Sequence, residues 1–361
     1  MTASGRDGGR SRDFALALSV SVYAGVVAGL WLAVEFLVDR VWPATLLGFG
    51  PRWVTALPLV PLAVWVLAAV TRPRVWRHLC ALAMTAGVLV FGVMDFRLGA
   101  GRASGIAPVR VMTHNVGESR VTAEAVDRLM RAEQIDVAAL QECPFYDNGP
   151  ARLGWEFFYG GDLCLVSRFP FTVLDVADPD TAWEHIGFEP MRFEIQAPTG
   201  TFQLLNVHLE TIRDAITGLG GPEWSTHFTA NRTEARRQSM RARARLSGVK
   251  VPVIVAGDFN LPEESVIYGT VWGDLLNAFG ACGRGFGYTK FTLAFGVRID
   301  HVLAPADWHC ARAYVLASPY GGDHAPLIAE LTPRWSLQRT SLGAEDAPLV
   351  QGPVRGGQRR Q

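Results

Sequence analysis

Six short segments of the sequence place polar side chains at the ends of apolar, strand-like runs. Carboxylates, amides and imidazoles of this kind hold hard cations and transfer protons in hydrolytic sites. Taken singly, each segment has an ordinary structural interpretation, because a strand-end Asn caps a turn and an Asp-His pair often forms one. Taken together and in this order, they indicate a shared chemical site. The segments are Thr-His-Asn at 113–115, Leu-Gln-Glu at 140–142, Asn-Val-His at 206–208, Gly-Asp-Phe-Asn at 257–260, Asp-His at 300–301 and Asp-His at 323–324.

This series resembles the endonuclease/exonuclease/phosphatase superfamily, whose members include apurinic endonucleases, pancreatic-type deoxyribonuclease, neutral sphingomyelinases and inositol polyphosphate phosphatases. The resemblance covers about Val109 to Leu331, and its most specific parts are Gly-Asp-Phe-Asn and Gly-Asp-His. Ser-Arg-Phe-Pro at 167–170 adds the strand-end turn of the family. The resemblance implies an α+β fold, a four-layer α/β/β/α sandwich in which two packed β-sheets are flanked by helices.

The resemblance also implies a metal centre that binds Mg²⁺ or Mn²⁺. Glu142 is the expected main ligand, with help from Asn115, because hard cations prefer oxygen ligands. Asp323 is a second acid expected near the metal or the leaving group. Many relatives carry a further polar or acidic residue where this sequence has Gly117, followed by Glu118. The number of metal ions and their affinity are therefore left open.

The remaining roles that the resemblance implies belong to the hydrolytic step. Asp258 is expected to position and deprotonate the attacking water, and Asn260 to hold the same water or a phosphoryl oxygen. His324, oriented by Asp300, meets the phosphate, and His208 contacts a non-bridging oxygen. The chemistry would be an in-line displacement in which a cation and fixed dipoles stabilise the developing charge.

The elements that must position these residues are short strands with a few helices between them. Such a pattern favours sheet packed on sheet, with helices outside. Two helices are predicted over Thr122–Ala132, with Thr122 as N-cap, and over Thr226–Leu246. The predicted strands are Val109–Thr113, Val137–Gln141, Leu163–Ser167, Phe171–Val176, Met191–Ile195, Gln203–His208, Val253–Gly257, Ile299–Ala304, Ala313–Ala317 and Leu327–Leu331.

The first hundred residues differ in composition, because they hold three long apolar runs. Phe14–Leu37 is long enough to cross a bilayer, Trp53–Val70 follows, and Leu79–Met94 is the shortest. Buried core helices are the alternative for any single run, but three in succession favour transmembrane helices. The first run is too long for a cleaved signal peptide. We therefore expect three transmembrane helices before the catalytic domain.

Basic residues predict the orientation of these helices, because positive charges stay in the cytoplasm. Three crossings place the N-terminus in the cytoplasm and the catalytic domain outside, in a multi-pass protein of the plasma membrane. If the third run does not span, the domain is cytoplasmic instead. Arg6, Arg10 and Arg12 precede the first run, Arg72, Arg74 and Arg77 separate the second and third, and only Arg40 and Arg52 separate the first and second.

The chain thus divides into four parts. Residues 1–96 are the membrane region, 97–108 a Gly/Ala-rich linker, 109–335 the catalytic domain and 336–361 a disordered tail. A flexible linker of this length reaches only about 20 Å. The domain is therefore expected to work close to the membrane surface.

Three functions compete at this point. A phosphatase or phosphodiesterase acting on a lipid-linked phosphate is favoured by the anchor and by the acidic domain, which has about 20 Lys/Arg against about 27 Asp/Glu. A surface nuclease is disfavoured, since nucleic-acid binders need a basic footprint and the Arg-rich stretch at 232–245 is its only support. A non-catalytic scaffold is disfavoured by the complete site.

The layout of helices followed by this domain resembles bacterial membrane proteins of the VanJ type, linked to teicoplanin resistance. This resemblance implies a polyprenyl diphosphate substrate.

Two local features complete the expectations. The segment Thr211–Ala230 carries Leu219, Trp224 and Phe228, which could enter the membrane interface or pack as an ordinary loop. Four domain cysteines allow three disulfide pairings, or none. An exported domain permits oxidation, and Cys282–Cys310 is the first choice of pair.

Overall fold

The computed structural model describes most of the chain from the N-terminal helix to Arg334. Glu118, Leu219, Arg72, Arg74 and the predicted disordered tail lie outside the described residues. The described residues are 3–71, 75–102, 107–117, 121–145, 147–174, 189–212, 215–216, 221, 223–292, 294–317 and 322–334.

Residues from Val109 onward form two six-stranded sheets that face each other. One sheet has the strand order β10-β14-β9-β8-β7-β6 and the other β15-β16-β2-β3-β5-β4. The strands are β1 Arg97–Leu98, β2 Val109–Asn115, β3 Val137–Gln141, β4 Glu156–Gly160, β5 Leu163–Ser167, β6 Phe171–Val173, β7 Met191–Ala197, β8 Gly200–His208, β9 Val253–Asp258, β10 Leu276–Asn277, β11 Arg284–Gly285, β12 Lys290–Phe291, β13 Gly296–Val297, β14 Asp300–Ala304, β15 Trp308–Val315 and β16 Leu327–Pro333.

Helices cover the outer faces of both sheets, so the predicted four-layer sandwich is confirmed. The central core fills the space between the sheets, with Phe193, Phe202 and Trp308 fully or almost fully buried. One outer layer packs on helix α5 and the other on helices α7 and α8. Thr122 caps α5 as predicted, since its hydroxyl accepts from the Ala125 N–H at 3.2 Å. The helices of the domain are α5 Ala123–Ala132, α6 Gly149–Arg152, α7 Trp224–Ala244, α8 Val266–Trp272 and α9 Ala278–Cys282.

Two parallel strand pairs bring the chemical residues to one edge of the sandwich. Strands β2 and β3 are parallel, and so are β8 and β9, whereas the other neighbours in both sheets are antiparallel. The carboxyl ends of parallel neighbours share one edge. His208 therefore lies opposite Asp258 in the register, and Asp300, at the start of antiparallel β14, lies on the other side of Asp258.

The N-terminal region is helical but does not contain three equivalent helices. Segments 11–37 and 75–93 are each long and apolar enough to span a membrane, whereas α2 and the segment 52–68 qualify only as one pair bent by 97°. The helices are α1 Ala3–Leu37, α2 Trp42–Phe49, a 3₁₀ turn over Arg52–Ala56, α3 Leu59–Ala68 and α4 Val75–Gly87, which continues as a π-helix over Val88–Val93.

The second apolar run, rather than the third, is therefore the weak candidate, which corrects the sequence-based ranking. Its helix α3 has only ten residues. Pro58 caps α3 and Pro61 lies in its first turn. Proline lacks the backbone N–H that a continuous helix needs, so it is tolerated there but not in a helix interior. Two spans are supported by length and composition, and the third depends on counting the bent pair as one.

The surface of this helical region is apolar. Among the described residues, every large apolar side chain that is strongly exposed lies between positions 14 and 98, except Leu174, Met240 and Phe291. The inward faces of the helices pack together through residues such as Val20, Val27 and Leu82. Such a continuous apolar surface is typical of contact with a membrane or with a partner protein.

The segment predicted as a flexible linker is held against the catalytic domain at its start. Arg97–Leu98 pairs with Arg284–Gly285 as a small antiparallel sheet. The carbonyl of Arg102 lies 2.7 Å from Nε2 of His309. A Gly/Ala-rich composition does not predict this backbone pairing. The expected free reach of about 20 Å is therefore wrong for residues 97–102.

Cysteine pairing agrees with the first choice from the sequence and adds a second bond. Cys282 and Cys310 form a disulfide, as do Cys143 and Cys164. The alternative of four free thiols is thus excluded. Cys143 directly follows Glu142, so the second bond ties the end of β3 to β5 beside a predicted metal ligand.

Candidate active site

Three of the predicted residues meet through the side chain of Asn115. Its amide nitrogen donates to Oε1 of Glu142 at 2.9 Å and to Oδ2 of Asp258 at 3.1 Å. Its amide oxygen accepts the Gly117 N–H at 3.0 Å, which fixes the orientation of the amide. Asn115 therefore links the two carboxylates through its nitrogen, and its role as a direct metal ligand stays a prediction. Glu142 has a φ of 51°, a strained value for a non-glycine residue that aims its side chain from the strand end into the site.

Asp300, His324 and Asp258 form a buried line of charged groups. Nδ1 of His324 lies 2.8 Å from Asp300, and its Nε2 lies 3.7 Å from Oδ2 of Asp258. Burial disfavours charge on both members of the pair, but their mutual attraction raises the pKa of His324 and lowers that of Asp300. Burial, and then the charge of Asp300, raises the pKa of Asp258. The predicted orientation of His324 by Asp300 is thus present in the structure.

His208 is held by a residue that the sequence did not reveal. Its Nδ1 lies 2.5 Å from Asp162, and its Nε2 lies 4.0 Å from Asp258. Burial disfavours the charged ring, but the hydrogen bond and charge of Asp162 raise the pKa of His208 to about 9. Asp162 lies in the turn between β4 and β5, and β4 was missing from the predicted strands. The aromatic run Phe157–Tyr159 and the glycines at 160–161 were the signal that could have indicated a hairpin with Asp162 in its turn.

Asn260 and Asp323 hold the loops around the site. The Asn260 side chain donates to the Leu209 carbonyl at 2.8 Å, and its backbone N–H donates to Asp258 at 2.8 Å. Asp323 forms an ion pair with Lys290, a second residue that sequence reasoning missed. Burial opposes the Asp323 charge, but Lys290 lowers the pKa of that carboxyl. The ammonium of Lys290 thus lies beside the Asp-His segment at 323–324.

Two residues of the sequence motifs lie away from the site. Asn206 bridges the two sheets, since its side chain donates to the carbonyls of Leu140 and Cys164 at 3.1 and 3.0 Å. His301 packs under the outer helices, with Nε2 2.8 Å from the Leu261 carbonyl, and burial lowers its pKa to about 4. Both are structural residues at strand ends.

A cavity of about 310 Å³ opens beside these groups. Its polar lining includes Glu142, His208, Thr211, Asp258, Asn260, Lys290, Thr292 and His324. Its apolar lining includes Phe49 from helix α2 as well as Leu209, Ile212, Ile216, Phe295, Val297 and Ile299. The larger cleft of about 980 Å³ lies along α7 and α8 and contains none of the predicted site residues. The smaller cavity is therefore the candidate active site.

The side chains of the site are compatible with a divalent cation. Ligand atoms of Asp258, Asp300 and His324 lie within 4.8 Å of one another. His324 already uses Nδ1 for Asp300, so this trio is better described as a hydrogen-bonded His324–Asp300 pair with Asp258 3.7 Å from Nε2. The oxygens of Glu142, supported by the Asn115 amide and close to Asp258, are the donor type that Mg²⁺ or Mn²⁺ prefers.

The sequence profile of the Endonuclease/Exonuclease/phosphatase family matches residues 112–324. The chain belongs to this family, whose members are phosphoesterases and nucleases that typically depend on divalent metals. No curated protein is significantly similar to the chain in sequence.

Several solved structures are similar to the domain at low sequence identity. Humanized D. rerio TDP2 is 16% identical over 64% of this chain and 100% of that chain, with a TM-score of 0.48. An AP endonuclease from Archaeoglobus fulgidus is 14% identical over 61% and 98%, with a TM-score of 0.46. A mannosyl-6-phosphatase from Bacteroides thetaiotaomicron is 16% identical over 62% and 99%, with a TM-score of 0.43.

Proposed function

We propose that the protein is a membrane-embedded, metal-dependent phosphoesterase that hydrolyses a lipid-linked phosphate or diphosphate. One observation carries this proposal. The cavity that contains Glu142, His208 and Asp258 is also lined by Phe49, which belongs to the apolar helical region. A substrate in this cavity meets both charged groups and a residue of the apolar region.

The residues of the site divide the hydrolytic step between them. A divalent cation held by Glu142 would supply positive charge to the phosphoryl oxygens. Asp258, buried and 3.7 Å from Nε2 of His324, is placed to hold the attacking water and take its proton. Asp300 fixes the orientation of His324, whose charged form, like that of His208, stabilises the negative charge that develops on the phosphoryl group.

The direction of the helices supports an extracytoplasmic position for the domain. Asp39, just after α1, accepts a hydrogen bond from Ser265, and Asp95, just after the π-helix, pairs with Arg298. Both long helices therefore meet the domain with their C-terminal ends. A 27-residue span such as 11–37 is about 40 Å long. The N-terminus and the domain thus lie at opposite ends of the bundle, and the basic N-terminal residues favour the cytoplasm.

The two disulfides of the domain support the same orientation. Disulfides form and persist in oxidising compartments and are rare in the cytosol. A C-terminal fusion to alkaline phosphatase is expected to be active in cells. Bright fluorescence from a reporter that folds only in the cytoplasm would refute this orientation.

A surface nuclease is the weaker alternative. Of the six arginines at 232–245 that were its only support, three form ion pairs, since Arg237 contacts Glu234, Arg243 contacts Asp274 and Arg245 contacts Glu189. Ion pairs of this kind reduce the positive charge that is free for phosphate backbones. The resemblance in layout to membrane proteins of the VanJ type likewise favours a polyprenyl diphosphate.

The decisive experiment is a phosphate-release screen with the full-length protein in detergent and Mg²⁺. Polyprenyl diphosphates, phospholipids and oligonucleotides are compared at equal phosphate concentration, and Asp258→Asn serves as the inactive control. We expect release from lipid substrates only. Efficient cleavage of DNA or RNA, with no phosphate released from any lipid, would overturn the proposal.

A further inference from the structure

Phe49 is the point at which the helical region enters the active site. It is the last residue of α2 and is 8% exposed. Its ring packs in one apolar cluster with Val297 and Ile299, and Ile212 and Ile216 pack against the same cluster. Ile299 directly precedes Asp300, so the aromatic ring lies next to the strand that orients His324. A residue of the N-terminal region thus forms part of the wall around the reacting phosphate.

Three side-chain contacts fix α2 in this position. Asp39, before α2, accepts from Ser265, and Arg52, after α2, pairs with Glu264. Arg52 also donates to the Gly48 carbonyl at 2.7 Å, inside the last turn of α2. These partners are buried or nearly so, which resists rotation of α2 away from the domain.

The same contacts hold the loop that follows β9, the strand that supplies Asp258. Glu264 and Ser265 come four and five residues after Asn260 in the chain. Arg298, two residues before Asp300, pairs with both Asp95 and Glu263. The two strands that supply Asp258 and Asp300 therefore have their ends fixed by the helical region.

The apolar side chains that line the cavity favour an apolar group in the bound molecule. A free sugar phosphate or a nucleotide would place hydroxyls or polar bases against Phe49, Ile216 and Phe295, where no compensating hydrogen bond is available from these side chains. An apolar group would instead exclude water from the wall and bury further surface. A volume of about 310 Å³ is at the low end for small-molecule sites, which suits a phosphate with the first apolar segment of a chain. The remainder of a long chain would follow the exposed apolar surface of the helices.

We propose that the helical region completes the active site and that Phe49 determines specificity for phosphates that carry an apolar group next to the esterified oxygen. This inference rests on the proposed function, because it assumes hydrolysis at the same site. It assigns to the N-terminal region a part in substrate selection in addition to anchoring.

The test compares two substrates and three variants of the full-length protein in detergent. The substrates are a C15 isoprenyl diphosphate and a water-soluble phosphate ester of similar reactivity. Phe49→Ala removes the wall, and Phe49→Leu keeps part of its apolar area. Phe36→Ala is the matched control, since Phe36 is an exposed aromatic of α1 that does not line the cavity.

We expect Phe49→Ala to raise KM for the isoprenyl substrate about tenfold, the ratio produced by about 1.4 kcal/mol of lost binding. Phe49→Leu should give an intermediate value, because it retains aliphatic contact. The ratio of kcat/KM for the isoprenyl substrate to kcat/KM for the soluble ester should fall about tenfold in Phe49→Ala, since both substrates use the same charged groups and only one uses the apolar wall. Phe36→Ala should match the wild type on both substrates.

The outcomes separate the inference from the function on which it rests. An unchanged isoprenyl KM in Phe49→Ala, with a wild type active on that substrate, overturns the inference alone. Equal loss of both activities in Phe49→Ala and Phe49→Leu also overturns it, because a purely structural role predicts that result. A wild type that hydrolyses no lipid phosphate overturns the proposed function and the inference together.

Discussion

Asp162 provides the sharpest test of the electrostatics of the site. In the wild type its carboxylate lies 2.5 Å from Nδ1 of His208. Replacement of Asp162 by Asn keeps the size of the side chain and removes the charge. The burial that disfavours the imidazolium remains, and Asp258 and Glu142 still favour it, so the pKa of His208 should fall from about 9 toward lower values. At pH 7.5 the ring is charged in the wild type, and a smaller fraction of it is charged in the variant.

The size of the effect follows from this change in protonation. The difference between 6.5 and about 9 corresponds to about 3 kcal/mol of preference for the charged ring. Because the folded pKa is raised, the pair contributes stability that is fully present below pH 6.5 and is lost as the pH rises through about 9. Loss of a fixed positive charge that stabilises a developing phosphoryl charge costs about 10²–10³ in rate.

The assay is the pH profile of kcat/KM for the soluble phosphate ester between pH 6 and 10. We expect the falling limb to move from near pH 9 toward lower pH in Asp162→Asn. A cation beside Glu142 would lower the pKa of His208 in the wild type and in Asp162→Asn alike. The quantity to compare is therefore the difference in the pH of the falling limb between these two proteins. Asp147→Asn is the control, since it removes an equal charge from an exposed position. A variant with the wild-type profile and rate would refute the role of the Asp162–His208 pair.

Three further predictions concern the metal and the catalytic carboxylates. Asp258→Asn should lower turnover by at least about 10²–10³ without lowering the thermal unfolding midpoint, because it removes a buried charge; turnover within tenfold of the wild type would contradict this. Chelation should abolish turnover without changing the circular dichroism spectrum, and added Mg²⁺ or Mn²⁺ should restore turnover. Glu142→Gln should raise the Mg²⁺ concentration needed for the half-maximal rate. Activity that survives exhaustive chelation would exclude a role for the metal. The double variant Cys143→Ser/Cys164→Ser opens a loop of 21 residues and should lose about 2–5 kcal/mol of stability. It should also need more Mg²⁺ for the half-maximal rate, because Cys143 follows Glu142. An unchanged Mg²⁺ titration would show that the disulfide does not position the metal ligand.

The strands and the main site residues could be predicted because their signals are local. The strands Val137–Gln141 and Leu163–Ser167 were predicted with the observed bounds, since each is a short apolar run with a polar boundary. The parallel pairs β2–β3 and β8–β9 bring the ends of their strands to one edge, so a motif at the end of these strands is also a site motif. The positions of Asn115, Glu142, His208 and Asp258 follow from this rule, whereas Asp300 begins an antiparallel strand.

The parts that could not be predicted depend on contacts between distant segments. Asp162 and Lys290 acquire their partners only when separate loops converge, and no spacing in the sequence encodes that meeting. The fixed start of the linker has the same origin, because Arg97–Leu98 finds its partner strand almost two hundred residues later. Trp224 was assigned to a loop that could enter the interface, whereas it begins α7 and packs on Trp42 of α2 at 5.4 Å.

The same long-range contacts change how the N-terminal region should be understood. A simple anchor needs only a flexible connection, and its removal would leave the catalytic domain intact. Here Arg52, Asp39 and Asp95 contact Glu264, Ser265 and Arg298, which flank the ends of the two catalytic strands β9 and β14. The carboxylates of Asp258 and Asp300 are therefore positioned in part by helices that precede the domain. A truncated domain that lacks these helices leaves Glu264 and Arg298 without these partners and loses the Phe49 wall of the cavity at the same time.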